Sequence, residues 1–548
     1  MRFRKTFYTV PAALLTFAAT VSAIPVQAAP KPKLIVNIVV SQMPYDYLRQ
    51  MSSNFSGGGF RRFMEQGLSF GQASYGFAKS VSPATLATLT TGVCPDMHGI
   101  VGTEWIDYTT NKSVSLIADP KASGLGGDAD AGRYSPVNLI VPTLGDKLRR
   151  ENPGSKVVTI ALDPVSAVVM GGRGGDVYWM DANRGEWMSS TAYMSSLPEW
   201  VDNYNRTHAA REMLDYRWTP LLSPERYTFT KSTVIDLGHG TGRAGQNAQA
   251  SAKTSAAASE KSIARDCAAL LRTPAGNTLV AEMAKQAVTY EKLGQDSDPD
   301  ILNICFDTPR YVGEMYGSRS MEVEDMFCRL DGDIASLVSF IEAQVPLRDV
   351  LFVLTSDHGA NPEGGSEERF NGDMFRMLVN GLLSAQYGPY DWVSGFYDGE
   401  LYLDHDYILS HDYDLAQLQN KLASFAVQFG GVAHALSAST LSGSYFGSGY
   451  ARMMQRSFYP KRSGDILLNL MPGWSIETPD VLSSAGTMYD YDTHVPLMLL
   501  GSAITPGQVR AQVDMCSVVP TLAHILDISP PMAPETPLVN EIIDCYEQ

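Results

Sequence analysis

Val350-Leu351-Phe352-Val353-Leu354-Thr355-Ser356-Asp357-His358-Gly359 is the stretch on which the reading of this chain turns. An unbroken apolar run of strand length that empties at once into Ser-Asp-His-Gly has the pattern of a strand buried on both faces and ending at a polar crevice. Four further runs share the pattern, at 34–40, 157–162, 301–306 and 496–500, and all five read as buried parallel strands. Between them lie helical repeats. Met326, Phe327, Leu330, Ile334, Leu337, Val338 and Ile341 recur at helical spacing, on a helix that starts near Ser320. Strands alternating with helices predict an α/β fold with a doubly wound, mostly parallel central sheet flanked by helices. Ligands bind such sheets beyond the carboxyl ends of the strands. Ser41, Arg310 and Asp357 each fall just past an apolar run, so they are expected to face one crevice.

The remainder of the chain is organised around this frame. Its 548 residues, 44% of them hydrophobic, can bury a large core. Residues 1–28 read as a secretory signal, with Arg2, Arg4 and Lys5 ahead of a mostly apolar stretch at 7–21, and with Val26-Gln27-Ala28 at the cleavage position. The expectation is an exported, periplasmic or secreted protein with no membrane span in the mature chain. Residues 29–548 form one large domain with two insertions. The first, at about 105–237, is rich in Gly, Trp and Tyr. The second, at about 370–463, is a small α+β subdomain with a strand at 399–403 and a helix at 414–425. An Ala/Ser-rich segment at 245–260 reads as a loop.

A formal net charge of −17 argues against nucleic acid as a partner. The six cysteines show no CxxC spacing and therefore no zinc-knuckle pattern. Cys516 with Cys545 is a candidate pair that would tie down the C-terminal tail, and Cys305 reads as a buried thiol within a strand.

The chemistry-bearing residues are Asp357 and His358 side by side at a strand end, with His494 far downstream in Tyr489-Asp490-Tyr491-Asp492-Thr493-His494-Val495-Pro496. These are the oxygen and nitrogen ligands that zinc prefers. Together with "LIVNIVVSQMPYDYL" at 34–48, "ATLTTGVCPDMHGIVG" at 87–102, "LLRTPAGNTLVAEMAKQAV" at 270–288, "SDHGANP" at 356–362 and "YDYDTHVPLMLLG" at 489–501, they make the chain resemble the alkaline phosphatase superfamily. The similarity is greatest to the exported bacterial phosphate-monoesterases related to nucleotide pyrophosphatase/phosphodiesterases. The resemblance implies a hydroxyl nucleophile at a helix start and two zinc ions. It places the nucleophile ten residues before Gly92, at Ser82; on the residues alone, an ordinary N-cap ahead of Pro83 is the favoured reading of Ser82.

Set against the family pattern, about half of the ligands are replaced. Ser41 stands where the resemblance implies a metal-binding Asp, Arg310 where it implies another Asp, and Glu314 where it implies a His. Asp357, His358 and His494 keep their family identity. A phosphate-contacting Asn maps to Thr103, and a Lys-x-Arg pair maps to Asp163-Pro164-Val165. Two zinc ions bring positive charge to a site that must stabilise a phosphoryl dianion, whereas a fixed guanidinium opposes cation binding. Zinc is therefore expected to be absent or substoichiometric. What remains is at most a partial site of Asp357, His358 and His494 with Glu314 or Ser82, and Thr103 and Arg310 could contact a phosphate-containing small molecule. The leading expectation is a pseudophosphatase acting by binding or scaffolding. The alternatives are an active phosphate-ester hydrolase using Ser82 with an altered or single-metal site, and a structural subunit of a cell-envelope assembly with a protein partner there.

Other signals are weaker. Gly240-Thr241-Gly242-Arg243-Ala244-Gly245 spells a dinucleotide motif without a βαβ frame and reads as a loop. Asp404, His405, Asp406 and His411 read as solvated loop residues rather than a metal cluster. His98 has a structural role, and the Trp and Tyr residues of 178–200 read as packing.

Overall fold

The computed structural model describes residues 30–214, 216–229, 267–362, 368–534 and 536–547. The signal at 1–28, the Ala/Ser-rich segment and the Gly240–Gly245 motif lie outside the described residues. A ten-stranded sheet organises the molecule. In chain order its strands are β1 (Leu34–Val40), β2 (Leu68–Ser74), β3 (Gly124–Leu125), β4 (Val157–Ala161), β5 (Asp176–Asp181), β6 (Glu186–Ser190), β7 (Asp300–Phe306), β8 (Val350–Thr355), β9 (His494–Gly501) and β10 (Gly507–Asp514). In space they run β10-β2-β9-β8-β1-β7-β4-β5-β6-β3. The central strands β8, β1, β7, β4 and β5 are mutually parallel, as the alternating pattern requires.

The side-chain period of two sorts β1 between two cores. Leu34, Val36, Ile38 and Val40 pack with Phe352, Leu354 and the helices Pro274–Glu291 and Met321–Gln344. Ile35 points to the opposite face, with Leu351, Val353 and the helix Val518–Leu526. Both faces are covered, which is why these strands read as continuous apolar runs. Ser320 caps the long helix by accepting from the Val323 N–H, at the predicted start.

One strand runs against expectation. β9 is antiparallel to both β8 and β2. An apolar run buried on both faces carries no record of strand direction, so the sequence pattern could not distinguish the two. The reversal has a functional consequence: β9 begins, rather than ends, at the carboxyl edge of the central parallel strands, and so delivers His494 to the same edge as Asp357.

The second insertion is a four-stranded antiparallel sheet with its own core around Trp392, Leu401, Leu403 and Ile466. Its strand Ile466–Leu470 extends past the expected boundary at 463, because this strand sits between two others in that sheet. The expected strand and helix are present as Glu400–Leu403 and Leu415–Ala426. Asp404 and His405 are not solvated loop residues. Asp404 caps the helix His405–Ser410, and the His405 Nε2 lies 2.7 Å from Asp465 Oδ1 while its ring stacks on Tyr108. Cys516 does not face Cys545. Its Sγ lies 2.7 Å from that of Cys94, whereas the Cys545 thiol donates to the Glu541 carbonyl of its own helix. Tyr178, Trp179 and Trp187 are buried as packing residues, and His98 is buried against Thr88.

Gly359 marks a close backbone approach: a Cβ there would lie 1.9 Å from the Tyr491 carbonyl oxygen. Gly359→Ala is expected to destabilise the fold by about 1–3 kcal/mol through overpacking. Gly332→Ala, in a helix interior with nothing within 4 Å of its Cβ position, is expected to be neutral or stabilising by up to about 1 kcal/mol. Urea unfolding of the two variants checks the contrast.

Candidate functional site

The strand register sets the crevice. Val39 pairs with both Thr355 and Cys305, and Val40 pairs with Phe306, so Ser41, Asp307 and the Ser356–His358 segment leave the sheet at one level. Beyond β1 the chain turns at Gln42, whose φ of 58° is left-handed, a strained choice for a residue with a side chain. The turn aims the Gln42 N–H at Asp357 Oδ1 (3.0 Å), while the Ser41 hydroxyl donates to Asp357 Oδ2 (2.7 Å). Asp357 Oδ1 also accepts the His358 N–H (2.7 Å). Both oxygens of this fully buried carboxylate are therefore held by protein donors.

Ser82 opens the helix Ser82–Thr91. Val81 is the N-cap and contributes no side-chain cap bond, so Ser82 is not serving as a capping residue. Its Oγ instead lies 3.0 Å from His358 Nε2. The other ring nitrogen, Nδ1, is 2.8 Å from the Gly359 carbonyl. A carbonyl only accepts, so Nδ1 carries the proton and Nε2 accepts from the serine hydroxyl.

The second expected metal position is occupied by an ion network. Arg310, in the first turn of the helix Thr308–Tyr316, donates from Nη2 to Asp163 Oδ2 (2.7 Å) and from Nη1 to Glu314 Oε1 (3.2 Å). Glu314 lies one helical turn beyond Arg310 and pairs with it. Asp163, where the family pattern has Lys, is the additional partner. Burial works against the charge on Arg310, but Glu314, Tyr311, Asp163 and Asp307 outweigh it and hold the guanidinium firmly protonated. Asp307 is fully buried and accepts from the Leu162 and Asp163 N–H groups and from the Ser166 hydroxyl. Burial, reinforced by the Asp163 charge, pushes its carboxyl up to about 7.

His494 reaches the correct edge of the sheet but not the cluster. Its Nε2 is 3.0 Å from the Gly71 carbonyl, and its ring stacks on Tyr45 at 4.6 Å. Thr103 is exposed beside the strand Glu104–Asp107. Asp492, which the sequence reading did not single out, is fully buried next to His358; Thr487 donates to its Oδ2 through both N–H and hydroxyl. A polar residue two before the retained His494 was its only signal in the sequence.

These residues do not fit two zinc ions. Asp357 is satisfied by Ser41, Gln42 and His358, Glu314 is engaged by a guanidinium, and His494 is bonded to backbone. Among the described residues no group of three or more His, Cys, Asp and Glu side chains could hold a metal ion. Of the four residues of the partial site, Asp357, His358, His494 and Glu314, two face other partners in this structure: Glu314 the Arg310 guanidinium and His494 the Gly71 carbonyl.

The model of the type I phosphodiesterase/nucleotide pyrophosphatase family matches residues 35–492. A Myroides odoratus protein named calcium-transporting ATPase is 28% identical over 97% of both chains. The alkaline phosphatase PafA of Elizabethkingia meningoseptica is 28% identical over 97% of this chain and 98% of its own. The PafA crystal structure matches with a TM-score of 0.84 at 27% identity, covering 94% of this chain and 99% of the other. A PafA variant with one Thr changed to Ser, and one Asn, one Lys and one Arg changed to Ala, matches with a TM-score of 0.83.

The raised carboxyl of Asp307 has a defined effect on stability. The unfolded chain releases this proton in the ordinary carboxylate range, whereas the folded chain keeps it to about pH 7. The folded state binds more protons across that window, so stability falls as pH rises from about 4 to 7. Asp307→Asn is expected to remove up to about 1.4 kcal/mol per pH unit from that slope, measured by urea unfolding across the window.

Proposed function

This chain belongs to the type I phosphodiesterase/nucleotide pyrophosphatase family within the alkaline phosphatase superfamily, and from that membership we propose that it is a pseudophosphatase. In this reading it is exported, keeps the superfamily crevice as a binding surface, and does not run the two-zinc hydrolysis of phosphate monoesters. One observation carries the reading: the Arg310 guanidinium clamped between Asp163 and Glu314. A second zinc at that position would have to displace a fixed cation and leave a partly buried guanidinium without its partners. The Arg310 guanidinium is already matched by two carboxylates, so it offers little uncommitted charge to a phosphoryl dianion. Ser82, Thr103, Asp163 and Val165 stand where the family pattern has Thr, Asn, Lys and Arg, the four residue types exchanged in the PafA variant.

An active phosphate-ester hydrolase is the second reading. The Ser82–His358 contact and the relatives named alkaline phosphatases favour it. Zinc analysis of the purified mature protein, with a chromogenic phosphate monoester as substrate, separates the two. The pseudophosphatase reading expects no zinc retained after dialysis and no turnover. About two zinc ions per chain, with turnover lost in Ser82→Ala, would establish the hydrolase instead. Ser41→Asp combined with Arg310→Asp and Glu314→His is expected to restore zinc binding, measured by calorimetric titration; a folded triple variant that binds none would show that the positions are wrongly matched.

A further inference from the structure

We propose that Ser82 and His358 form a metal-independent pair of nucleophile and general base that accepts carboxylic esters as substrates. The inference goes beyond the pseudophosphatase reading and does not rest on it, since it concerns a different class of electrophile.

The geometry has each part such a pair needs. Ser82 is half-buried and reachable, at the first position of a ten-residue helix whose amino end favours developing negative charge. Its Oγ is at hydrogen-bonding distance from His358 Nε2, 3.0 Å. The imidazole is oriented from behind, with Nδ1–H held by the Gly359 carbonyl, which leaves Nε2 free to accept. The Gly359 carbonyl is itself fixed, because the Gly359 N–H donates to the Asp492 carbonyl (2.7 Å) and that of Ala360 to the Tyr491 carbonyl (2.9 Å). His358 is 3% exposed and cannot swing away without breaking this packing. One buried carboxylate lies beside the ring: Asp357 Oδ2 is 3.6 Å from Nε2, an opposite charge close to the imidazolium that forms when the serine proton moves.

The same carboxylate selects the substrate. A phosphate dianion would meet the Asp357 charge with the Arg310 charge already committed, whereas a neutral ester carries no charge for it to repel. In the first step the Ser82 Oγ–carbon bond forms as His358 Nε2 takes the hydroxyl proton. The tetrahedral intermediate then expels the alcohol, which receives that proton from His358. Water adds to the acyl-serine through the same base, releasing the carboxylic acid and restoring the free pair.

The test uses the purified mature protein in excess EDTA, a serine-directed fluorophosphonate probe and peptide mass spectrometry, with p-nitrophenyl acetate hydrolysis measured alongside. The expected result is one adduct, on Ser82, at a rate unchanged by EDTA, together with ester turnover that the adduct abolishes. Ser82→Ala is expected to lose the adduct, and His358→Gln to slow labelling by about 100-fold or more, with circular dichroism confirming the fold of each variant. Folded wild-type protein that stays unlabelled, labelling that requires added zinc, or an undiminished rate in folded His358→Gln would each overturn the proposal. The wild-type arm decides even if both variants misfold.

Discussion

The clamp of Arg310 between Asp163 and Glu314 is the interaction on which the character of the crevice depends. A partly buried ion pair of this kind is weak evidence for stability, because removing charges from water costs about as much as their attraction returns. Its importance lies in what it excludes. A guanidinium cannot be deprotonated away, and with Asp307 and Tyr311 packed around it the cation is a permanent part of the site. A guanidinium holds the position where the family pattern has a carboxylate, and Glu314 is its partner.

A second, separate adjustment accompanies it. Ser41 takes the place of a carboxylate and donates a proton to Asp357, so a potential electrostatic clash of two acids around a metal becomes an ordinary hydrogen bond of 2.7 Å. Asp357, Gln42 and His358 then lock one another through backbone donors. On its Nε2 side His358 meets the Ser82 hydroxyl at 3.0 Å, with Asp357 Oδ2 3.6 Å away. The two changes act in the same direction: each replaces a bond to a metal with a bond inside the protein, and together they leave a well-ordered crevice rather than a collapsed one.

Most of this was legible in the sequence, for reasons that differ by residue. The apolar runs revealed the strands because a sheet covered on both faces leaves no polar alternation, and Ser41, Arg310 and Asp357 could be placed at one edge because all three follow such runs. The Arg310–Glu314 contact follows from their spacing of four on a helix. The direction of β9 was not legible, since burial on both faces looks the same in either sense. Nor was the turning away of His494, which depends on the Gly71 carbonyl and Tyr45, residues more than four hundred positions distant. Asp404 and His405 were misplaced for a similar reason: Asn111, a partner of Asp404, and Tyr108 and Asp465, the partners of His405, come from distant segments, and composition alone made the two residues look solvated.

The most direct measurement is a crystal structure of the mature protein grown with excess zinc, with anomalous data collected across the zinc edge. The account predicts no anomalous peak between Asp357, His358 and His494, and continuous density from Arg310 to Asp163 and Glu314. A peak within coordination distance of Asp357 and His358, with Arg310 turned out of the crevice, would contradict it.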